Sequence, residues 1–171
     1  MTARTPPGTS QGATPGWTTR RATGADAEAV VELRALMFAA MGVAGVDEPG
    51  WRRAATRWFE SALDGPHACV VVAEDPGGRI VAGAMGGLRF ETPSPVNPNG
   101  VWGLVNNVAT RPEARRQGLA RECVVGVLDW LRDETDATVV ELFATGDGAS
   151  LYEELGFVAT AWPAMRLRLS R

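Results

Sequence analysis

Lysine is absent from this chain: all 17 basic residues are arginine, set against 20 Asp and Glu for a net charge of −3. That balance argues against broad non-specific binding to nucleic acid and leaves room only for a local basic patch. Cysteine is scarce, with Cys69 and Cys123 alone, so no disulfide scaffold is expected. Histidine occurs once, at His67. One histidine and two distant cysteines make no metal-ligand cluster, and no metal is expected. Long apolar runs are missing too. The longest, Ala68 to Ala73, falls far short of the roughly 20 residues a membrane helix needs, so no membrane partner is expected. The N-terminus carries no apolar signal core, and the cytoplasm is the expected compartment.

What remains is ordinary globular composition. Of 171 residues, 45% are hydrophobic and 22% charged, enough for one domain with a sizeable core. Residues 1–16 are mostly Thr, Pro, Gly and Ser with little to bury, and are expected to form a disordered tail. A single domain is expected over residues 17–171.

Strand-like and helix-like stretches then alternate. Residues 17–22 suit a short first strand. Thr23 with Asp26 reads as a helix start, followed by Val30, Leu33, Leu36, Met37, Ala40 and Met41 at helical spacing. Pro49 suits the first turn of a second helix carrying Trp51, Ala55, Trp58, Phe59 and Leu63. Residues 68–73 read as a buried strand. The Asp75-Pro76-Gly77-Gly78 turn returns the chain as a hairpin over residues 79–90, where Gly83, Gly86 and Gly87 weaken the strand or mark a bulge. A Pro- and Asn-rich loop over residues 92–100 precedes a strand at 101–110. A helix after Pro112 carries Leu119, Cys123, Val124, Val127, Leu128 and Leu131. A strand at 138–143, a short helix at 149–155 and two final strands at 157–162 and 164–169 complete the series. Interleaved helices and strands predict a mixed α/β layer fold.

The segment richest in chemistry runs Asn106-Asn107-Val108-Ala109-Thr110-Arg111-Pro112-Glu113-Ala114-Arg115-Arg116-Gln117-Gly118-Leu119-Ala120-Arg121. It reads strand, turn, helix. Gly118 and Ala120 would let a ligand approach the backbone. The helix start offers unpaired N–H groups and a positive dipole end, and Arg111, Arg115, Arg116 and Arg121 add charge there. An anion such as a pyrophosphate would be stabilised by all three. The alternative is a solvated basic turn with no ligand. No Gly-Lys-Ser/Thr phosphate loop and no three-glycine dinucleotide fingerprint is present.

Arg115-Arg116-Gln117-Gly118-Leu119-Ala120 resembles motif A, Gln/Arg-x-x-Gly-x-Gly/Ala, of the GCN5-related N-acetyltransferases (GNAT). Downstream, Leu151-Tyr152-Glu153-Glu154-Leu155-Gly156-Phe157 resembles the family's motif B, Leu-Tyr-x-x-x-Gly-Phe, in the family's order and at a similar separation.

The resemblance implies a mixed, mostly antiparallel sheet of about seven strands with flanking helices. Its fourth and fifth strands would splay apart at their ends, with Asn106-Asn107 marking the bulge that opens the V. Acetyl-CoA would be the co-substrate, lying in that V. Val108 and Thr110 would pair with pantetheine. The loop of Arg115, Arg116, Gln117, Gly118, Leu119 and Ala120 would cradle the pyrophosphate. Thr145 stands where family members often carry Asn. The Val108 N–H is the implied oxyanion donor and Tyr152, the chain's single tyrosine, the implied general acid. Some members carry a catalytic Glu on the fourth strand. Leu104 occupies that position here, and of the nearest alternatives (Asn106, Glu91, Glu141, His67) none is assigned as base.

The implied activity is transfer of acetyl to a primary amine on a small molecule or protein. The acceptor pocket would involve Met37, Met41, Trp51, Trp58 and the 92–100 loop. Homodimers are common in the family and are one expected assembly. The competing reading is a catalytically inactive acyl-CoA-binding module of the same fold.

Overall fold

The computed structural model describes residues 16–161 and 164–169. Apart from Gly16, the tail expected over residues 1–16 lies outside the described residues. The elements follow as β1 (Thr18–Arg21), α1 (Ala27–Ala40), α2 (Pro49–Ala62), β2 (Ala68–Glu74), β3 (Ile80–Phe90), β4 (Val101–Thr110), α3 (Leu119–Glu134), β5 (Val139–Leu142) and α4 (Ala149–Glu154). The strands lie in the order β1-β2-β3-β4-β5. The first four pair antiparallel and β5 runs parallel to β4. The mixed α/β class is as expected from the interleaved pattern. Among the described residues no helix is long and apolar enough to cross a membrane.

Two apolar layers sandwich the sheet. Successive strand side chains point to opposite faces. On β2, Cys69, Val71 and Ala73 therefore join the layer under α3, while Ala68, Val70 and Val72 join the layer under α1 and α2. A strand covered on both faces reads as a continuous apolar run, which is the run seen at 68–73. Both cysteines are free and buried, and burial pushes their thiols up to about 11 at Cys69 and about 12 at Cys123.

The expected count of about seven strands is corrected to five. Residues 157–161 and 164–169 form no strand, and Trp162 lies outside the described residues. Val158, Met165, Leu167 and Leu169 are all largely exposed. Alternation along 164–169 defines a face, but a strand also needs a partner edge.

The glycines of β3 do not break it: the strand runs from Ile80 to Phe90, and the expected bulge falls in its pairing with β4, where the register shifts between Gly83 and Met85. These glycines admit α3. A Cβ on Gly86 would stand 2.6 Å from Val127 Cγ1 and 3.0 Å from the Trp130 ring, and one on Gly103 of β4 would stand 2.9 Å from Leu131 Cδ1. α3 buries Leu119, Cys123, Val124, Val127, Trp130 and Leu131 against this flat ground.

One polar cluster ties β1 and β2 to the start of α1. Arg20 donates to Asp26 at 2.8 Å and to Glu74 at 2.6 Å, and the Thr23 N–H donates to Asp26 at 2.8 Å. Chiefly through Arg20, the Asp26 carboxyl is lowered from 3.8 to about 2.

Two stability predictions follow from this packing and pairing. Gly86→Ala should lower the unfolding free energy by about 1–3 kcal/mol through overpacking, read as an earlier urea midpoint at unchanged slope. A carboxyl lowered on folding contributes stability that is present above its unfolded pKa and lost as pH falls through its folded pKa. The Asp26 contribution should therefore fade between about pH 4 and pH 2. With the pair partly screened by solvent, on the order of 1 kcal/mol is at stake. Asp26→Asn should remove that part of the acid dependence, measured by urea unfolding at pH 5 and pH 2.5.

Candidate active site

The site begins with an irregularity in β4. Gly83 pairs with Ala109 and Met85 with Asn106, so two steps along β3 match three along β4. The extra residue is accommodated at Asn107, whose φ of 50° lies in the left-handed region that Asn tolerates better than most residues. On the other side, the β4–β5 ladder stops at Val105 opposite Leu142. From Asn106 to Thr110 the β4 edge facing β5 has no strand partner, which is the V expected between the fourth and fifth strands.

A cleft of about 410 Å³ occupies that V. It is lined by Asn106 through Thr110, Arg115, Thr145 and Tyr152, with Leu36, Met37, Ala40 and Met41 of α1 as an apolar wall. The α1 stripe read from the sequence thus divides. Val30 and Leu33 are core, while Leu36 and Met41 are 37% and 53% exposed because they face the cleft. Two buried side-chain oxygens at the V, Asn106 Oδ1 and Thr110 Oγ1, have no hydrogen-bond partner among the described residues. Buried polar atoms are normally satisfied, so this pair fits a polar ligand in the cleft.

Beyond β4, the chain passes through the buried Ala114 into an exposed loop, Arg115 to Gly118, and returns to the core at Leu119. Arg116 and Gly118 both have positive φ, 61° and 77°. Gly118 caps the 16-residue α3. A Cβ on Gly118 would meet no protein atom within 4 Å, so it is the left-handed backbone that calls for glycine, and the space above it is open. The first N–H groups of α3 have no partner within the helix. Arg115, Arg116 and Arg121 pair with no carboxylate among the described residues; Arg115 Nε donates to the Thr110 carbonyl at 3.3 Å.

One expectation for this loop needs correction. Arg111 does not add charge there: it donates to Glu32 at 2.7 Å and to the Ile80 carbonyl at 3.0 Å, a structural tie between β4, β3 and α1. The Leu119 side chain is 1% exposed in the core, so only its backbone can face a ligand.

Tyr152 projects from α4 into the cleft. Its ring meets Phe157 edge-on at 6.1 Å and lies against Gly148, where a Cβ would come within 3.2 Å of Cε2. Burial raises the phenol pKa, so it keeps its proton at neutral pH. Its hydroxyl has no hydrogen-bond partner among the described residues.

Neither carboxylate weighed as a base lines the cleft. Glu141 accepts from Arg89 at 2.7 Å and Glu91 stands 2.7 Å from the same guanidinium. His67 packs edge-on against Phe90. Leu104 pairs with Gly87 and Glu141 within the sheet.

A second cavity, of about 420 Å³, opens between α1, α2 and the bulge. It is lined by Arg34, Ala55, Trp58, Phe59, Met85, Asn106 and Asn107, and so shares the two asparagines with the first. Trp58 is the expected pocket residue found here. The 92–100 loop lines neither cavity. Asn97, fully buried, holds it to the Val101 carbonyl and Thr138, at the end of β4 away from the V. Sequence reasoning missed Arg34. The signal was there: position 34 falls four residues after Val30 and three before Met37, on the apolar stripe of α1.

Comparison with known proteins agrees with this geometry. Residues 30–157 match the acetyltransferase (GNAT) family. No curated protein matches the chain. Among solved structures, a predicted acetyltransferase with acetyl-CoA from Clostridium acetobutylicum aligns at TM-score 0.77 and 22% identity, covering 88% of this chain and 96% of that one. A GCN5-related N-acetyltransferase from Ralstonia eutropha aligns at TM-score 0.77 and 22% identity, covering 89% and 99%. Glucosamine-6-phosphate N-acetyltransferase from Arabidopsis thaliana aligns at TM-score 0.68 and 17% identity, covering 88% and 97%. The splayed strands, the basic loop at the start of α3 and the match over residues 30–157 together make this chain a member of the acetyltransferase (GNAT) family.

Proposed function

We propose that the protein is an N-acetyltransferase that takes acetyl from acetyl-CoA and delivers it directly to a primary amine. The observation that carries this reading is the V itself. A partnerless stretch of β4 edge, two unsatisfied buried oxygens and the Tyr152 phenol all border one cleft.

Bound acetyl-CoA supplies an activated thioester carbonyl. The residues of this chain do the rest. The Val108 and Thr110 backbone extends the sheet toward pantetheine, as one more strand would. The N–H groups of the 115–120 loop, with Arg115, Arg116 and Arg121, hold the pyrophosphate. A basic first turn is mildly unfavourable against the helix dipole, and a bound anion reverses the sign of that interaction. Thr145 offers its hydroxyl at the cleft wall. As the amine nitrogen bonds to the carbonyl carbon and the carbon–sulfur bond breaks, the Val108 N–H stabilises the carbonyl oxygen, Tyr152 gives its proton to the sulfur, and the amine's surplus proton leaves to water.

The inactive acyl-CoA-binding module is the second reading. It is favoured by one observation: no Asp or Glu lines either cavity among the described residues.

Calorimetric titration with acetyl-CoA and with CoA tests the cradle. Both should bind to the wild type. Gly118→Val should bind acetyl-CoA at least about tenfold more weakly, and should also lose roughly 1–2 kcal/mol of stability because Val resists the left-handed backbone. Full affinity in a folded Gly118→Val protein would take the pyrophosphate away from this loop. Tyr152→Phe separates enzyme from module. With thiol release followed across a panel of primary amines, it should cut turnover roughly 10²-fold while leaving acetyl-CoA affinity nearly unchanged. An unchanged rate would remove Tyr152 from the chemistry, and no thiol release by the wild type with any amine would favour the module.

A further inference from the structure

We infer that Arg34 recognises an anionic group on the acceptor, so that the substrate is a compact amine bearing a carboxylate or phosphate a few atoms from its nitrogen. The inference rests on the acetyltransferase reading and names the acceptor class for it.

Arg20, Arg21, Arg79, Arg89, Arg111 and Arg132 all meet carboxylates. Arg34 meets none among the described residues and sits on the apolar stripe of α1. Arg34 is partly buried, whereas Arg53, Arg57, Arg115, Arg116 and Arg121, which also meet no carboxylate among the described residues, are exposed. Its guanidinium donates to Asn107 Oδ1 and lies 4.7 Å from the centroid of the Phe38 ring. A guanidinium carries several N–H donors in a planar fork, and one accepting amide oxygen leaves most of them for a ligand. Burying an arginine without a carboxylate costs free energy, and an anionic ligand offsets that cost.

The position gives the guanidinium a use. It lines the 420 Å³ cavity, and that cavity meets the thioester cleft at Asn106 and Asn107. Asn107 holds Arg34, and Val108, the oxyanion donor on the proposed reading, is the next residue. Neighbouring residues of one strand thus border the two subsites, so the amine and the anion belong to one compact molecule. Asn106 Oδ1, buried without a partner in the same wall, is an acceptor for the amine N–H. Ala55, Trp58, Phe59 and Met85 form the rest of the cavity and suit an apolar body on the same molecule. An amino acid with an apolar side chain has all three features.

The test compares ligands that differ only in the anion. Phenylalanine is set against phenylalanine amide, and 2-aminoethyl phosphate against ethanolamine. Each is titrated calorimetrically into the protein saturated with CoA, and acetyl-CoA affinity is measured separately. The anionic member of at least one pair should bind roughly 10- to 100-fold more tightly than its neutral partner. The pair that shows the difference identifies carboxylate or phosphate. Arg34→Gln should erase the difference, and Arg34→Lys should restore part of it. In turnover, Arg34→Gln should raise KM for the anionic acceptor far more than it lowers kcat. Equal binding within both pairs, binding by neither, or a preference that survives Arg34→Gln would overturn the inference. If Arg34→Gln fails to fold, the wild-type pairs and Arg34→Lys still decide. Acetyl-CoA binding without an anion preference defeats this inference alone, whereas absence of acetyl-CoA binding defeats the acetyltransferase reading beneath it.

Discussion

The one inserted residue in β4 is the constraint on which both cavities depend. β3 and β4 pair on either side of it, from Phe90 with Val101 to Ala82 with Thr110, so the sheet is not interrupted. What ends is the contact with β5, which reaches no further than Val105. A bulge bends its strand and increases the local twist. Here it leaves five residues of β4 edge unpaired in the middle of a domain, where an edge would otherwise be covered. Asn107, at the left-handed position, also anchors its surroundings. Its Oδ1 accepts from Arg34 and its Nδ2 lies 3.3 Å from Met85 Sδ. The same residue therefore shapes the thioester cleft and holds the arginine of the neighbouring cavity.

The bulge would be of little use on a soft platform. α3 supplies stiffness by lying directly on β3 and β4, an approach that Gly86 and Gly103 permit. The loop preceding α3 is exposed, yet it starts from Ala114 and ends at Leu119, each 1% exposed. Fixing both ends in the core limits the backbone freedom that a bound pyrophosphate would have to remove. Arg111 contributes in the same way. Tied to Glu32 and to the Ile80 carbonyl, it secures the exit of β4 rather than meeting a ligand.

Where local pattern determines the outcome, the sequence was readable. The β-branched run at 68–73, the α3 stripe and the Pro49 helix start are local signals, and the elements lie where those signals put them. The motif around Gly118 and the Tyr152 segment likewise marked which elements would border the V. Other features depend on partners distant in the chain. Alternation at Met165, Leu167 and Leu169 could not reveal that these residues would lie exposed without a strand partner. Nothing near Arg111 in sequence announces Glu32, 79 residues away. Gly83, Gly86 and Gly87 read locally as weak points in a strand; only the helix above Gly86 makes that glycine a packing requirement. Arg34 was legible as a charge on an apolar stripe, but its meaning came with the cavity it faces.

The distribution of charge joins these observations to the missing base. The chain is acidic overall, at −3. Yet arginines border the two cavities, Arg115 at one and Arg34 at the other, and no Asp or Glu among the described residues lines either. A positive environment disfavours an ammonium ion and lowers the pKa of an amine entering it. Acetyl transfer needs that amine neutral. On the proposed reading Arg115 meets the pyrophosphate, so Arg34 is the charge that acts on the amine. An acceptor carboxylate would by itself oppose this, since a nearby negative charge raises an amine pKa. Neutralised by Arg34, it no longer does. Recognition of the anion and cancellation of its effect on the amine pKa are then two consequences of one side chain, and this is the physical sense of an arginine on the inner face of α1 that meets no carboxylate among the described residues.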